Sequence, residues 1–146
     1  MRITLKNEEL NAAIRFLTNM KIEGTRKNRQ RSKLKNALLE AAKELHESQM
    51  ELFEKHGQKD ASGKLILNET QTGYELKKET RQEYVKEMNT LLAEEVVIDG
   101  GVNAKLIEAF GETLANYEGV LSGEDAEICD RLMDEFEKEE NQDVND

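Results

Sequence analysis

The sequence predicts an α+β fold, predominantly α, with four or five helices and a small β-hairpin or sheet. Three observations carry that expectation. The chain of 146 residues contains no proline, so nothing interrupts a helix from within. Apolar residues recur at three- and four-residue spacing over several long stretches. Short alternating or β-branched runs, some closed by glycines, break that pattern in only a few places. With 37% hydrophobic and 36% charged residues, the chain is more polar than an average globular protein but too apolar for a disordered one. No internal repeat or long linker divides it. A single helical domain over residues 1–140 is therefore expected, with a β-hairpin near 64–76 and a polar tail over 141–146.

The elements follow in order. The run "RITLK" alternates and reads as a short strand. Asn7 then offers an N-cap, with Glu8 and Glu9 in the first turn, where negative charge suits the helix dipole. Leu10, Ala13, Ile14 and Leu17 form the first helical stripe, which Gly24 ends or breaks. The second helix is the clearest: Leu34, Leu38, Ala41, Ala42, Leu45, Leu52 and Phe53 keep one stripe, closed by His56 and Gly57. Asp60 to Gly63 is turn chemistry, and Lys64–Leu67 and Tyr74–Leu76 read as two short strands. A third helix is expected over Lys78–Glu95, with Tyr84, Met88, Leu91 and Leu92 inward. "VVIDGG" is a short strand closed by glycines. Asn103 caps a fourth helix carrying Leu106, Ile107, Phe110 and Leu114. Ser122 and Asp125 resemble a capping box for a fifth, with Ala126, Cys129, Leu132, Met133 and Phe136. The core should centre on Leu38, Leu45, Leu91, Phe110, Leu132 and Phe136.

Several kinds of chemistry are unsupported. "DASGKLILNETQ" has its glycine at loop position four rather than six and Gln71 rather than Glu at position twelve, so it reads as a hairpin turn and not a calcium loop. His46 and His56 stand ten residues apart, too far to share a metal by helical spacing, and read as surface or cap histidines. Cys129 lies on an apolar face in an acidic setting that disfavours a thiolate, so it reads as a packing residue. As the single cysteine it also excludes an intramolecular disulfide framework. The paired acids Glu94–Glu95, Glu124–Asp125 and Glu139–Glu140 are what a chain with 31 acids yields by chance. "IDGGVNAK" has neither the dinucleotide fingerprint nor the Walker spacing. The expectation is a protein that is not an enzyme, with no catalytic residues, no metal and no cofactor. No apolar run approaches the roughly 20 residues a membrane span needs, and "MRITLKNEELNAAIRFL" lacks the features of a signal peptide. A cytoplasmic location is expected, with no membrane partner.

One feature departs from helix physics. The net charge is −10, yet Arg26, Lys27, Arg29, Arg31, Lys33 and Lys35 crowd into ten residues at the leading end of the second helix. Helices favour acids there and bases at the other end. This helix does the reverse, with Glu40, Glu44, Glu47, Glu51 and Glu54 in its later turns. At about 100° per residue, Arg26, Arg29 and Lys33 share one face, while Lys27 and Arg31 extend the line of the apolar stripe. Arg26, Arg29, Arg31 and Lys33 are the candidate interaction patch. Three explanations stand open. The helix begins at Ser32 and the bases lie in a solvated loop. Alternatively, the bases dock on acids of this chain or of an identical neighbour; residues 124–146 hold eleven acids against Arg131 and Lys138. The third explanation is nucleic-acid binding, disfavoured by the lack of interleaved aromatics and by the acidity of the rest of the chain.

The order "LKNEELNAAIRFL", "RQRSKLKNALLEAA", "KDASGKL", "ETRQEYVKEMNTLLAEEVVID", "LSGEDAEICDRLMDEFE" resembles a family of small uncharacterised proteins of tailed phages and prophages of low-GC Gram-positive bacteria. The resemblance covers nearly the whole chain and implies a phage setting beside late morphogenesis and tail genes, without any activity or functional residue. It leads to the expectation of a non-catalytic phage accessory protein acting by protein–protein contact, in virion or tail morphogenesis, through a protein partner or self-association. Its place would be the host cytoplasm or the virion. The contrasting expectation is an acidic inhibitor of a host nucleic-acid-handling defence enzyme, its carboxylates standing where phosphates otherwise sit.

Overall fold

The computed structural model describes residues 2–145, with side chains through Lys138. Strand β1 (Ile3–Lys6) leads through a 3₁₀ turn into helix α1 (Leu10–Asn19). Helix α2 (Thr25–His56) follows, then α3 (Arg81–Ala93), β2 (Glu95–Ile98), α4 (Ala104–Ala115) and α5 (Gly123–Asn145). The fold is α+β and predominantly α, with five helices and one two-stranded antiparallel sheet among the described residues. The polar tail expected over 141–146 concerns side chains outside the described residues.

The chain gathers into two compact units, Met1–Ala42 with Glu95–Asp146, and Lys43–Glu94; the boundary at residue 42 falls inside α2. The first unit holds the sheet, with Ile3 opposite Ile98, Thr4 opposite Val97, Leu5 opposite Val96 and Lys6 opposite Glu95. Alternation sends Ile3 and Leu5 to one face, and both are fully buried. Helices α1 and α4 each pack on α5, which also meets β1. The core joins Leu10, Ala13, Phe16 and Leu17 of α1, Leu34 and Leu38 of α2, Ile107, Phe110 and Leu114 of α4, and Ile128, Cys129, Leu132 and Phe136 of α5. Phe110 and Phe136 meet edge to face with centroids 6.2 Å apart. Gly111 makes room for this contact, since a Cβ there would stand 2.7 Å from the Phe136 ring. Burial pushes the Cys129 thiol up from its ordinary pKa, and the neighbouring Asp130 pushes it further, as a packing role requires.

The helix starts differ in detail from those expected. The turn after β1 has Lys6 rather than Asn7 at its N-cap position, and Glu9 Oε1 accepts from the Lys6 N–H at 2.8 Å. Helix α1 closes at Asn19, before Gly24. Gly24, at φ +96°, instead opens α2: its carbonyl accepts from the Asn28 N–H at 3.1 Å.

In the second unit, the C-terminal part of α2 is followed by a bridged segment and α3. The expected strands 64–67 and 74–76 are single bridges: Lys59 with Leu65, Leu67 with Tyr74, and Gly57 with Leu76. Three short segments share these hydrogen bonds. Gln58 donates to Glu75, Glu75 to Ile66, and Ile66 to Gln58. No pair therefore grows into a regular ladder. The turn at Asp60 is as expected, its Oδ1 accepting from Ser62 N–H and Oγ and from Lys64 N–H. Phe53 packs on Tyr74 and Tyr84 with centroids 5.1 and 5.6 Å apart. Of the six expected core residues, Leu91 is only half-buried, because α3 contains no buried residue; the other five are buried.

Candidate interaction surface

Helix α2 runs unbroken from Thr25, so every base of the cluster is helical. That overturns a start at Ser32 and removes the solvated-loop explanation. The first turn contains no acid, while Lys55 and His56 occupy the last turn, where cations suit the dipole.

The four predicted patch residues divide into two groups. Arg31 turns inward: its Nη1 donates to the Met20 carbonyl at 2.5 Å and the Leu17 carbonyl at 3.3 Å, and its Nη2 donates to Asn28 Oδ1. These carbonyls close the C-terminal end of α1, where backbone acceptors lack helical partners and negative potential accumulates. Arg31 is thus a cap for α1 and joins two consecutive helices. Its position on the line of the apolar stripe was the signal in the sequence. Beside it Gln30, 7% exposed, accepts from Thr113 Oγ1 at 2.5 Å, a buried polar contact to α4 that periodicity gave no reason to expect.

Arg26 and Arg29 are exposed and Lys33 is half-buried, on the other flank of α2. Among the described residues none of the three forms an ion pair or side-chain hydrogen bond. The described acids of α5 that form ion pairs do so elsewhere. Glu124 pairs with Arg15 at 2.8 Å. Glu135, 4% exposed, accepts from Arg131 at 2.9 Å, from Lys138 at 3.3 Å and from the Thr4 N–H at 2.8 Å. Arg131 in turn donates to the Thr4 carbonyl at 2.7 Å and to Glu9 at 3.2 Å. Arg131 and Glu135 together occupy both backbone groups of Thr4, as a neighbouring strand would, and close that edge of β1. Burial alone would raise the Glu135 carboxyl pKa; the Thr4 N–H, Arg131 and Lys138 outweigh it and hold the pKa below its ordinary value. The sequence pattern offers the α5 acids as docking partners for the basic cluster, whereas Glu124 and Glu135 pair with Arg15, Arg131 and Lys138. The signal for Glu135 was its place seven residues after Ile128, on the same helical line.

The two histidines also separate. His46 is exposed, as expected. His56 is not a surface residue but is 1% exposed, with Nε2 3.2 Å from Glu87 Oε2. Lys55 Nζ lies 2.8 Å from the other oxygen of Glu87. Hydrogen bonds from Lys55 and then His56 depress the Glu87 carboxyl, and Glu87 raises Lys55 in return. This cluster latches the last turn of α2 to α3. Among the described residues, no group of three or more His, Cys, Asp or Glu is placed to hold a metal ion.

The family model described as "Protein of unknown function (DUF1617)" matches residues 1–143. The chain belongs to that family. No curated protein and no solved structure matches it. No described helix of this DUF1617 chain is long and apolar enough to cross a membrane. The outer flank of α2 carries Arg26, Arg29 and Lys33 near its start, then exposed Glu40, Glu44, Glu47 and Glu51.

Proposed function

We propose that this chain is a non-catalytic accessory protein of a tailed phage or prophage that acts by protein–protein contact in virion or tail morphogenesis. One observation carries the contact reading. Arg26, Arg29 and Lys33 are held on a rigid helix with no acidic partner among the described residues, although α5 supplies acids to Arg15, Arg131 and Lys138. Bases concentrated against the helix dipole cost stability unless something opposite meets them, and in an acidic chain that partner is more readily protein than phosphate. The phage setting rests on the order of sequence motifs, and the non-catalytic reading on the lack of a nucleophile–base or metal-ligand constellation in the sequence.

Mass spectrometry of purified particles and their assembly precursors tests the reading. The chain should co-purify with one or the other at a fixed stoichiometry. Its confinement to the soluble fraction, bound to a host nuclease or other nucleic-acid-handling enzyme, would replace assembly with inhibition of host defence.

A further inference from the structure

We infer that the outer flank of α2 is a self-complementary docking surface for a second copy of this chain, paired antiparallel. The inference rests on the protein-contact reading above and names the partner.

At about 100° per residue, Arg26, Arg29, Lys33, Asn36, Ala37, Glu40, Glu44 and Glu47 fall within an arc of about 100°. That arc lies beside the buried line of Gln30, Leu34, Leu38, Ala41 and Leu45 and does not include it. All eight positions are exposed or half-buried. Along the arc the signs are segregated, with three bases, then two uncharged residues, then three acids. None of the six charged side chains forms an ion pair among the described residues. They do not pair with one another within a helix, because even the nearest opposite charges, Lys33 and Glu40, stand seven residues or about 10 Å apart along its axis, beyond the three- and four-residue spacings at which helical side chains meet.

A second helix laid antiparallel resolves this. Arg26 comes level with Glu47 of the second copy, Arg29 with Glu44, and Lys33 with Glu40. All three pairs are centred on the same point, midway between Asn36 and Ala37, so one two-fold axis there makes every pair twice. The residues at that axis are the small, uncharged ones. Ala37 lets the helices approach to the usual separation of about 8–10 Å, within reach of arginine and glutamate side chains. The charges also specify direction: a parallel pairing in register would set Arg26 against Arg26 and Glu47 against Glu47. The face offers little apolar area, so the association is weak and strongly dependent on salt.

Sedimentation velocity of the full chain tests this. The wild type should dimerise at low salt, and about 0.5 M salt should weaken the association by at least about tenfold. R26E/R29E/K33E and E40K/E44K/E47K should each be monomeric with unchanged circular dichroism, and an equimolar mixture of the two should form heterodimers. Should either triple variant fail to fold, A37C in the otherwise native chain decides the matter: it should cross-link through residue 37 at low salt and not at high salt. A monomeric wild type at low salt overturns the inference. So does a dimer that both triple variants keep, a mixture that stays monomeric, or an A37C chain that does not cross-link. Loss of affinity for duplex DNA in R26E/R29E/K33E without loss of self-association would reassign the bases to phosphate. Co-purification with particles is read independently, so a monomer that still joins particles keeps the proposed function and loses only this partner.

Discussion

The two compact units of this chain are held by different means. In Met1–Ala42 with Glu95–Asp146, eighteen hydrophobic side chains are buried among the described residues, from Ile3 and Leu5 to Phe136. In Lys43–Glu94, Leu45 is the one buried hydrophobic residue. There, half-buried Tyr74 and Tyr84 each pack on half-buried Phe53, one edge-on and one tilted, and polar links at Glu87 tie α2 to α3. The difference teaches which parts of a polar sequence carry stability. Apolar burial contributes about 25 cal/mol per Å², while exposed ion pairs contribute about 0–1 kcal/mol each. Stability should therefore concentrate in the first unit.

The largest effect should come from breaking its core. Phe110→Ala removes a fully buried ring that faces Phe136 and should cost about 3–5 kcal/mol, read as a fall in denaturation midpoint. The next test concerns the polar closure of β1. Glu135→Ala takes the acceptor from the Thr4 N–H and one partner from Arg131, and should cost about 3 kcal/mol. It should also change the pH dependence. A carboxyl whose pKa is depressed in the folded state stabilises it fully above its ordinary value of 4.5 and loses that contribution as pH falls through the folded value. Acid melts of the wild type should steepen below about pH 4.5, and those of Glu135→Ala should be flatter there.

In the second unit, Leu45→Ala should cost about 2 kcal/mol, at the lower end of such truncations, because no other hydrophobic residue of this unit is buried. A loss as large as that of Phe110→Ala would erase the contrast. The smallest effect belongs to Val120→Asp at a site 94% exposed, where melting should move by no more than about 0.5 kcal/mol.

The same contrast decides what could be read in the sequence. Where burial is deep, periodicity reports it: the stripes through Leu34 and Leu38, through Ile107, Phe110 and Leu114, and through Cys129, Leu132 and Phe136 all lie in the core. The strands near Ile3 and Val97 were also legible as local patterns. Their pairing was not, because ninety or so residues separate them and neither carries a register signal. Where burial is shallow, pattern overstated order. Leu91 has helical spacing but no deep core to enter, and residues 64–76 have strand-like composition but share hydrogen bonds among three segments. Arg31 and Glu135 show a third case. Each reads as surface charge by residue type, yet each satisfies backbone groups brought near only by the folded chain. The cluster at Arg26, Arg29 and Lys33 was legible as an anomaly against the helix dipole, whereas the continuity of α2 back to Thr25 was not, since Ser32 offered an equally good cap.

Helix α2 runs through both units, so it allows the comparison within one element of uniform backbone geometry. Native-state amide hydrogen exchange along α2 tests the central claim most directly. The amides of Gln30–Ala41, above Leu34 and Leu38, should exchange at least about tenfold more slowly than those of His46–Lys55, with the step near residue 43. Uniform protection along the whole helix, or slower exchange in its second half, would contradict the account.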